Sequence, residues 1–139
     1  MTQERINYSS KSIWEPLRGY SRAVVVDNHL FLSGTTAVNS EGTVIAPNQP
    51  YEQTKFVIEK VRDILTKAGF AMSDVVRTRL FVTNLSLWED YAKAHRFAFE
   101  NIRPASSIVQ VARLVDPRLT IEMEVEAIKG CQLKESRAL

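Results

Sequence analysis

The chain has 139 residues, of which 45% are hydrophobic and 24% charged, and its formal net charge is +2. This length and composition are typical of a globular protein, so we expect a single domain over residues 1–139, with a core at about 16–129 and tails at 1–15 and 130–139. The basic residues are scattered rather than gathered into a stripe, which argues against a nucleic-acid partner, and no apolar run approaches the roughly 18 residues of a membrane span.

The first residues and the cysteine count predict a cytoplasmic location. Cys131 is the single cysteine, so an internal disulfide framework is excluded and a reducing compartment is favoured. The N-terminal sequence MTQERINYSS lacks the apolar stretch of a signal peptide. We therefore expect neither secretion nor a membrane partner.

The N-terminal third predicts a β-hairpin after an irregular start. Residues 1–19 are polar and without periodicity, which indicates irregular structure. Two apolar runs then flank Asp27 and Asn28, residue types that tolerate the left-handed backbone of a tight turn. Residues 43–46, TVIA, fit a short third strand that follows turn-forming residues.

A helix and a strand follow. Apolar residues recur at helical spacing between Pro50, which suits a first turn, and Gly69, which suits the position just past a helix end. The next run, DVVRTRLFVTN, alternates as a strand does. Its face with Thr78 is turned to the helices, so Arg77 and Arg79 are expected on the opposite face.

The last third predicts a second helix and two strands. Ser86 with Glu89 three residues later matches a capping box, and His95 lies on the apolar stripe of this helix. Pro104 then opens a strand, because proline cannot donate to a ladder and is found at strand starts or edges. The final strand alternates apolar residues with a row of three glutamates, Glu122, Glu124 and Glu126.

These elements predict one α+β domain in which both helices cover one face of a sheet. The other face would carry Phe81 and Ile108 among arginines and glutamates. A mixed face of this kind is typical of a subunit interface, so an oligomer is expected.

Two kinds of chemistry compete for the charged residues. The glutamate row can pair with Arg77 and Arg79 across the sheet, or one buried glutamate at a subunit boundary can handle protons. The arginines can likewise hold a carboxylate substrate. A lone His95 on an apolar stripe is more often a core residue than a catalyst. Two histidines and one cysteine, all far apart, exclude a zinc spacing, and no glycine-rich phosphate loop is present.

The order and spacing of several short motifs resemble those of the Rid family, the YjgF-like reactive-intermediate deaminases. The resemblance covers about residues 16–129 and rests on motifs shared along the chain: Gly19-Tyr20, Ser33-Gly34, Gln53, Ala68-Gly69, DVVRTRLFVTNL, Pro104-Ala105, Ser107, VARL and Glu126-Ala127. It implies a chorismate-mutase-like fold, in which three subunits pack their sheets into a barrel with the helices outside. It also implies clefts at the subunit boundaries, where archetypal members hydrolyse enamines and imines such as 2-aminoacrylate without a metal or cofactor.

The resemblance also assigns site residues, with one departure. Archetypal members have an arginine after Pro-Ala that clamps the substrate carboxylate, and here that residue is Ser106. Ile108 stands where a cysteine is often found. A neutral hydroxyl supplies neither the charge nor the fork of an arginine, so this chain is similar to the arginine-lacking branches of the family.

The remaining site residues are expected to persist. Glu126 is expected to position water or shuttle protons. The substrate would be held by Tyr20, Ser33 and Gly34, with Thr35 beside them. Arg79 would replace the missing arginine, and His95 is a further candidate.

Three functions stay open at this point. The first is a homotrimer that hydrolyses a small enamine, imine or related metabolite, which the retained Glu126 favours. The second is a trimer that binds a metabolite without turnover, which the missing arginine favours. A ribonuclease comes third, because it attaches to the family by resemblance alone and no paired general acid and base is evident.

Overall fold

The computed structural model describes residues 2–139, and six strands and three α-helices are assigned within them. In chain order they are β1 (Arg5–Tyr8), α1 (Trp14–Arg18), β2 (Ala23–Val26), β3 (His29–Thr36), α2 (Pro50–Lys67), β4 (Val75–Val82), α3 (Trp88–Phe99), β5 (Ala105–Gln110) and β6 (Ile121–Ile128). Short 3₁₀ turns, Met72–Asp74 and Leu85–Leu87, precede β4 and α3.

The strands form one sheet in the order β1-β2-β3-β6-β4-β5. Every neighbouring pair is antiparallel except β4 and β5, which are parallel and are joined by a crossover through α3. A parallel pair requires such a crossover, because its second strand must start at the same end as the first. The connection leaves β5 at one edge of the sheet and β1 at the other.

The core lies between the sheet and the helices α2 and α3. Val57, Val61 and Leu65 on α2 are fully buried, as is Tyr91 on α3. Burial of an aliphatic or aromatic side chain of this size stabilises the fold by roughly 1.5–3 kcal/mol. The α+β sheet with two helices on one face is therefore confirmed.

Several local predictions are confirmed as well. Asp27 occupies the hairpin turn with a φ of 52°. Pro50 is the first residue of α2, and Gly69 just beyond the helix has a φ of 84°, where only glycine avoids a steric cost. On β6, Met123 and its alternate neighbours are buried while the three glutamates face the other way.

The N-terminal prediction was wrong. Residues 5–8 form β1, which pairs with β2 from Arg5 opposite Val26 to Tyr8 opposite Ala23. The strand is held by backbone hydrogen bonds and is largely exposed, so its sequence lacks the apolar alternation by which strands are recognised. The short helix α1 follows it.

Two further element predictions were wrong. Residues 43–46 form no strand, and a single bridge joins Val38 to Val44 there. Ser86 does not cap the second helix: the Asn84 side chain accepts a hydrogen bond from the Ser86 N–H, a 3₁₀ turn intervenes, and α3 starts at Trp88. Asparagine is as good an N-terminal cap as serine, and it stands two residues earlier.

The predicted face of Ile108 was also wrong. The parallel register places Ile108 beside Leu80, on the side of the helices, and places Val109 beside Phe81 on the open face. All six residues of β5 are exposed. The open face and the β5 edge together leave Phe31, Ile108 and Val109 between 37% and 46% exposed.

Candidate functional site

The first group of candidate residues lies where β3 is irregular. Ser33 and Gly34 together oppose the single residue Glu124 of β6, because the register passes from Leu32 to Thr35 on β3. This two-against-one pairing is a β-bulge, a feature that re-aims side chains beside functional sites. Ser33 and Thr35 therefore turn inward to carbonyl groups: Ser33 Oγ donates to Ser21 O at 2.6 Å, and the buried Thr35 Oγ1 donates to Ser33 O at 2.8 Å.

Gly34 lies directly against the Glu122 carboxylate. A Cβ at position 34 would lie 2.7 Å from Glu122 Cδ, so only glycine lets the carboxylate occupy this place. Burial, and then the negative charge of Glu124, raise the pKa of Glu122, while Arg22 and Arg18 act in the opposite direction. A carboxyl group whose pKa is raised can give or take a proton closer to neutral pH.

Tyr20 sits under two arginines. The guanidinium carbons of Arg18 and Arg22 lie 4.5 and 5.6 Å from the centre of its ring. Arg22 Nε lies 4.0 Å from the carboxylate of the buried Glu15 and makes no hydrogen bond within residues 2–139. Tyr20 also lines a cleft of about 470 Å³ with Glu15 and Ser9. The N-terminal segment therefore contributes cations to this end of the sheet.

Lys60 of α2 is a half-buried cation that contacts the end of β3. Its Nζ donates to Thr36 O at 2.8 Å and to Val38 O at 2.6 Å, which ties α2 to the end of β3. Burial, and then repulsion from Arg22, lower the pKa of Lys60 to about 8.

Glu126 and Arg79 meet on the open face of the sheet. Arg79 Nη1 donates to Glu126 Oε1 at 3.2 Å and lies 3.9 Å from Glu124 Oε1. Arg77 Nε lies 3.9 Å from the second oxygen of Glu126. The predicted cross-sheet ion pairs are thus present, and at 36–41% exposure each contributes about 0–1 kcal/mol.

Ser106 and Ile108 lie on the edge strand β5. Ser106 is paired in register with Thr78, whose Oγ1 donates to Ser106 Oγ at 2.8 Å. The same Thr78 oxygen is 2.8 Å from His95 Nε2. The His95 ring packs on Phe99 with ring centres 4.6 Å apart, and burial lowers the pKa of His95.

The structure does not bring all the predicted site residues together within one chain. Ser33 and Gly34 are on β3, Ser106 is on β5, and β6 and β4 lie between them. Three strand intervals separate the two groups by roughly 14 Å. Glu126 and Arg79 lie between the groups, and Glu126 is opposite Phe31 rather than opposite Ser33-Gly34.

Two residues beside the bulge are not singled out by the sequence. The sequence favours a solvated or ion-pair role for Glu122, with proton handling by one glutamate of the row left open, yet Glu122 is the carboxylate in contact with Gly34. Arg22 follows no sequence pattern, and its carbonyl accepts from the Ser33 N–H at 3.0 Å. A glycine within an otherwise regular strand is the available signal, because it marks a close approach by another group.

Among the residues the structure describes, no group of side chains with metal-binding geometry occurs. No helix in the same residues is long and apolar enough to cross a membrane.

A six-stranded mixed sheet with two helices on one face, an exposed edge strand and a bulge beside a carboxylate row defines a chorismate-mutase-like α+β protein. The crystal structure of a YjgF/YER057c/UK114 family member from Mycobacterium tuberculosis superposes with a TM-score of 0.81 at 35% identity, over 90% of this chain and 99% of that one. A Rid family protein of unknown function from Yersinia pestis superposes with a TM-score of 0.79 at 25% identity, over 90% and 99% of the two chains.

Sequence comparison leads to the same family. The family model described as "Endoribonuclease L-PSP" matches residues 10–129. A RutC family protein of Pyrococcus abyssi is 34% identical over 115 residues, which is 83% of this chain and 90% of that protein. This chain belongs to the YjgF/Rid family.

Proposed function

We propose that the chain is a homotrimeric hydrolase that acts on a small enamine or imine in a cleft between subunits. The observation that carries the proposal is the division of the candidate site between an inner strand and an edge strand of one sheet. Ser33 and Gly34 lie on the inner strand β3, with Tyr20 near them, and Ser106 lies on the edge strand β5, which is exposed over its whole length. If one copy packs its β5 edge beside the bulge of the next, the two groups face one another.

The reaction needs groups that move protons, and the glutamate row provides them. Glu126 positions the attacking water or accepts its proton, as the family resemblance implies. Glu122 is a second candidate, because its raised pKa favours a proton-carrying state beside Gly34. The Tyr20 hydroxyl and the backbone at the bulge would orient the substrate.

The cations of the cleft argue for a substrate other than the archetypal amino-acid enamine. Position 106 carries a hydroxyl, and the Arg79 guanidinium is already held by Glu126 and Glu124. A substrate carboxylate would have to compete with both glutamates for Arg79. This same observation favours the second candidate function, a trimer that binds a metabolite without turning it over.

Ribonuclease activity is disfavoured by the charge of the open face. Three glutamates alternate along β6, and Arg77 and Arg79 are paired with them. A phosphate backbone would meet this row of carboxylates with repulsion rather than counterion release.

The test is keto-acid release from 2-aminoacrylate, 2-iminobutanoate and bulkier imines generated in the assay. We expect acceleration over spontaneous hydrolysis for at least one imine, and loss of most of it in Glu126→Gln. The matched control is Glu59→Gln, because Glu59 lies on the outside of α2 with 63% of its side chain exposed. Acceleration of none of these imines, together with saturable binding of the matching keto acids, would replace the hydrolase with the binding protein.

A further inference from the structure

A line of three hydrogen-bonding side chains crosses from α3 to the edge of the sheet. His95 Nε2 and Thr78 Oγ1 are 2.8 Å apart, and Thr78 Oγ1 and Ser106 Oγ are 2.8 Å apart. Thr78 is fully buried, whereas Ser106 is exposed on β5. The line therefore begins in the packed layer between helix and sheet and ends at an exposed residue of the edge strand, at the position for which the family resemblance implies a substrate contact.

The other side of the His95 ring is open. Within residues 2–139, His95 Nδ1 makes no hydrogen bond, and the ring lines a cavity of about 500 Å³. The charged residues of that cavity are Arg96, Glu100 and Arg103, whereas Thr78 and Ser106 on the sheet side do not titrate near neutral pH. The imidazole thus lies between a cavity lined by charged side chains and a buried hydroxyl.

The direction of the hydrogen bonds and the tautomer of the His95 ring are coupled. When Thr78 donates its only hydroxyl proton to Ser106, it accepts from His95, and Nε2 carries the ring N–H. Nδ1 then holds the lone pair. Rotation of both hydroxyls reverses the direction of both hydrogen bonds, so that Ser106 donates to Thr78 and Thr78 donates to Nε2.

We propose that Ser106, Thr78 and His95 form a proton relay between the subunit cleft and the cavity on α3, with Ser106 as the group that meets the substrate. The proposal rests on the proposed function for its chemistry. Ser106 is the catalytic residue, and Thr78 and His95 are positioning residues that act through it. Position 106 thus carries a hydroxyl that can pass a proton in either direction, where the family resemblance implies an arginine that binds a carboxylate.

Imine hydrolysis uses a relay in both directions. Water adds to the imine carbon: the C–O bond forms, the C=N π electrons move to nitrogen, nitrogen takes a proton, and water loses one. The amine nitrogen then takes a second proton, the C–N bond breaks, ammonia leaves, and the hydroxyl loses its proton as the carbonyl forms. The sum is imine plus water to carbonyl plus ammonia, so each proton taken by the relay is returned. Burial lowers the pKa of His95, which favours the neutral ring, in which one nitrogen donates and the other accepts.

The relay can be read without any substrate, because the chain has only two histidines. Ring ¹⁵N shifts report the tautomer and the titration of His95, and the exposed His29 of the hairpin is an internal reference. In Ser106→Ala, the Thr78 hydroxyl loses its acceptor and donates to Nε2 instead. The ratio of the Nδ1–H to the Nε2–H tautomer of His95 should therefore rise about fivefold. Thr78→Val should lower the pKa of His95, because the imidazolium loses an acceptor.

The neighbouring serine supplies a matched control. Ser107 is paired with Arg79 on the other face of β5, so Ser107→Ala should leave the His95 ring unchanged. Thr78→Ser keeps the hydroxyl and should give the wild-type ring shifts of His95. It therefore separates loss of the hydroxyl from a change in packing as the cause of the shifts in Thr78→Val. A His95 ring that responds equally to Ser106→Ala and Ser107→Ala would overturn the relay.

Kinetics separate the relay from the proposed function. In a wild type that hydrolyses an imine, His95→Gln should lower kcat about tenfold or more with little change in KM and should flatten the pH profile of kcat. An unchanged profile in His95→Gln would overturn the proton-transfer role. A wild type that hydrolyses no imine would refute the proposed function, and the ring shifts alone would then decide whether the relay exists.

Discussion

Gly34→Ala tests how the bulge and the carboxylate row depend on each other. The backbone of Gly34 lies outside the left-handed region, so alanine can adopt it, and the smaller entropy of the unfolded chain stabilises the variant by about 0.4–1 kcal/mol. The added Cβ would lie 2.7 Å from Glu122 Cδ, too close for that atom to remain, and 3.1 Å from Cγ, which would have to shift by a few tenths of an ångström. Rotating the Glu122 side chain away costs about 0.5–1.5 kcal/mol. The free energy of unfolding should therefore change by less than about 1 kcal/mol while the carboxylate leaves its place.

Urea unfolding of a double-mutant cycle measures this coupling. In a Glu122→Ala background the collision is absent, so Gly34→Ala should be stabilising there, and the two backgrounds should differ by about 1 kcal/mol. NMR titration of Glu122 in Gly34→Ala should show its pKa returning toward the ordinary value, because burial no longer raises it. Equal effects of Gly34→Ala in both backgrounds, within about 0.3–0.5 kcal/mol, would refute the reasoning.

Three further predictions concern the charged residues of the cleft. Ser106→Arg should lower the KM for 2-iminobutanoate by about tenfold or more, since a bidentate carboxylate contact is gained, and should lower kcat, since the relay hydroxyl is lost; an unchanged KM would mean that the cleft does not present position 106 to the substrate. Arg79→Met should change the free energy of unfolding by about 1 kcal/mol or less, because its ion pairs are more than a third exposed; a loss above about 3 kcal/mol would show that assembly buries them. Because the folded-state pKa of Glu122 is raised, its contribution to stability is present below its ordinary pKa, near 4.5, and is lost as pH rises through the raised value. Thermal melts of Glu122→Gln should lack that decline, and parallel curves for the two proteins would contradict it.

The elements that sequence predicts correctly are those whose burial imposes a period. The helix from Pro50 carries an apolar stripe, and β6 alternates strictly, because each packs one face on the core. β1 escapes prediction because its side chains are exposed and backbone pairing alone holds it. The start of the second helix was misassigned because Asn84 and Ser86 are both acceptable caps, and only the backbone geometry selects between them.

The site is predicted less well because its neighbours come from different strands. Ser33 and Gly34 can be found by motif, but the contact between Gly34 and Glu122 depends on a bulge that alternation does not reveal. The face of Ile108 depends on the parallel register of β4 and β5, which a one-residue shift reverses. The hydrogen bonds from Ser106 to His95 join residues on two elements through Thr78 on a third, so no residue spacing in the sequence predicts them.

The intersubunit cleft exists only if three copies of the chain complete the site. Sedimentation equilibrium at micromolar concentration tests it most directly. We expect a stable species of three times 15.8 kDa, about 47 kDa, with no appreciable monomer. A stable 15.8 kDa monomer would leave the β3 and β5 groups separated by two strands of one sheet and would contradict the intersubunit cleft.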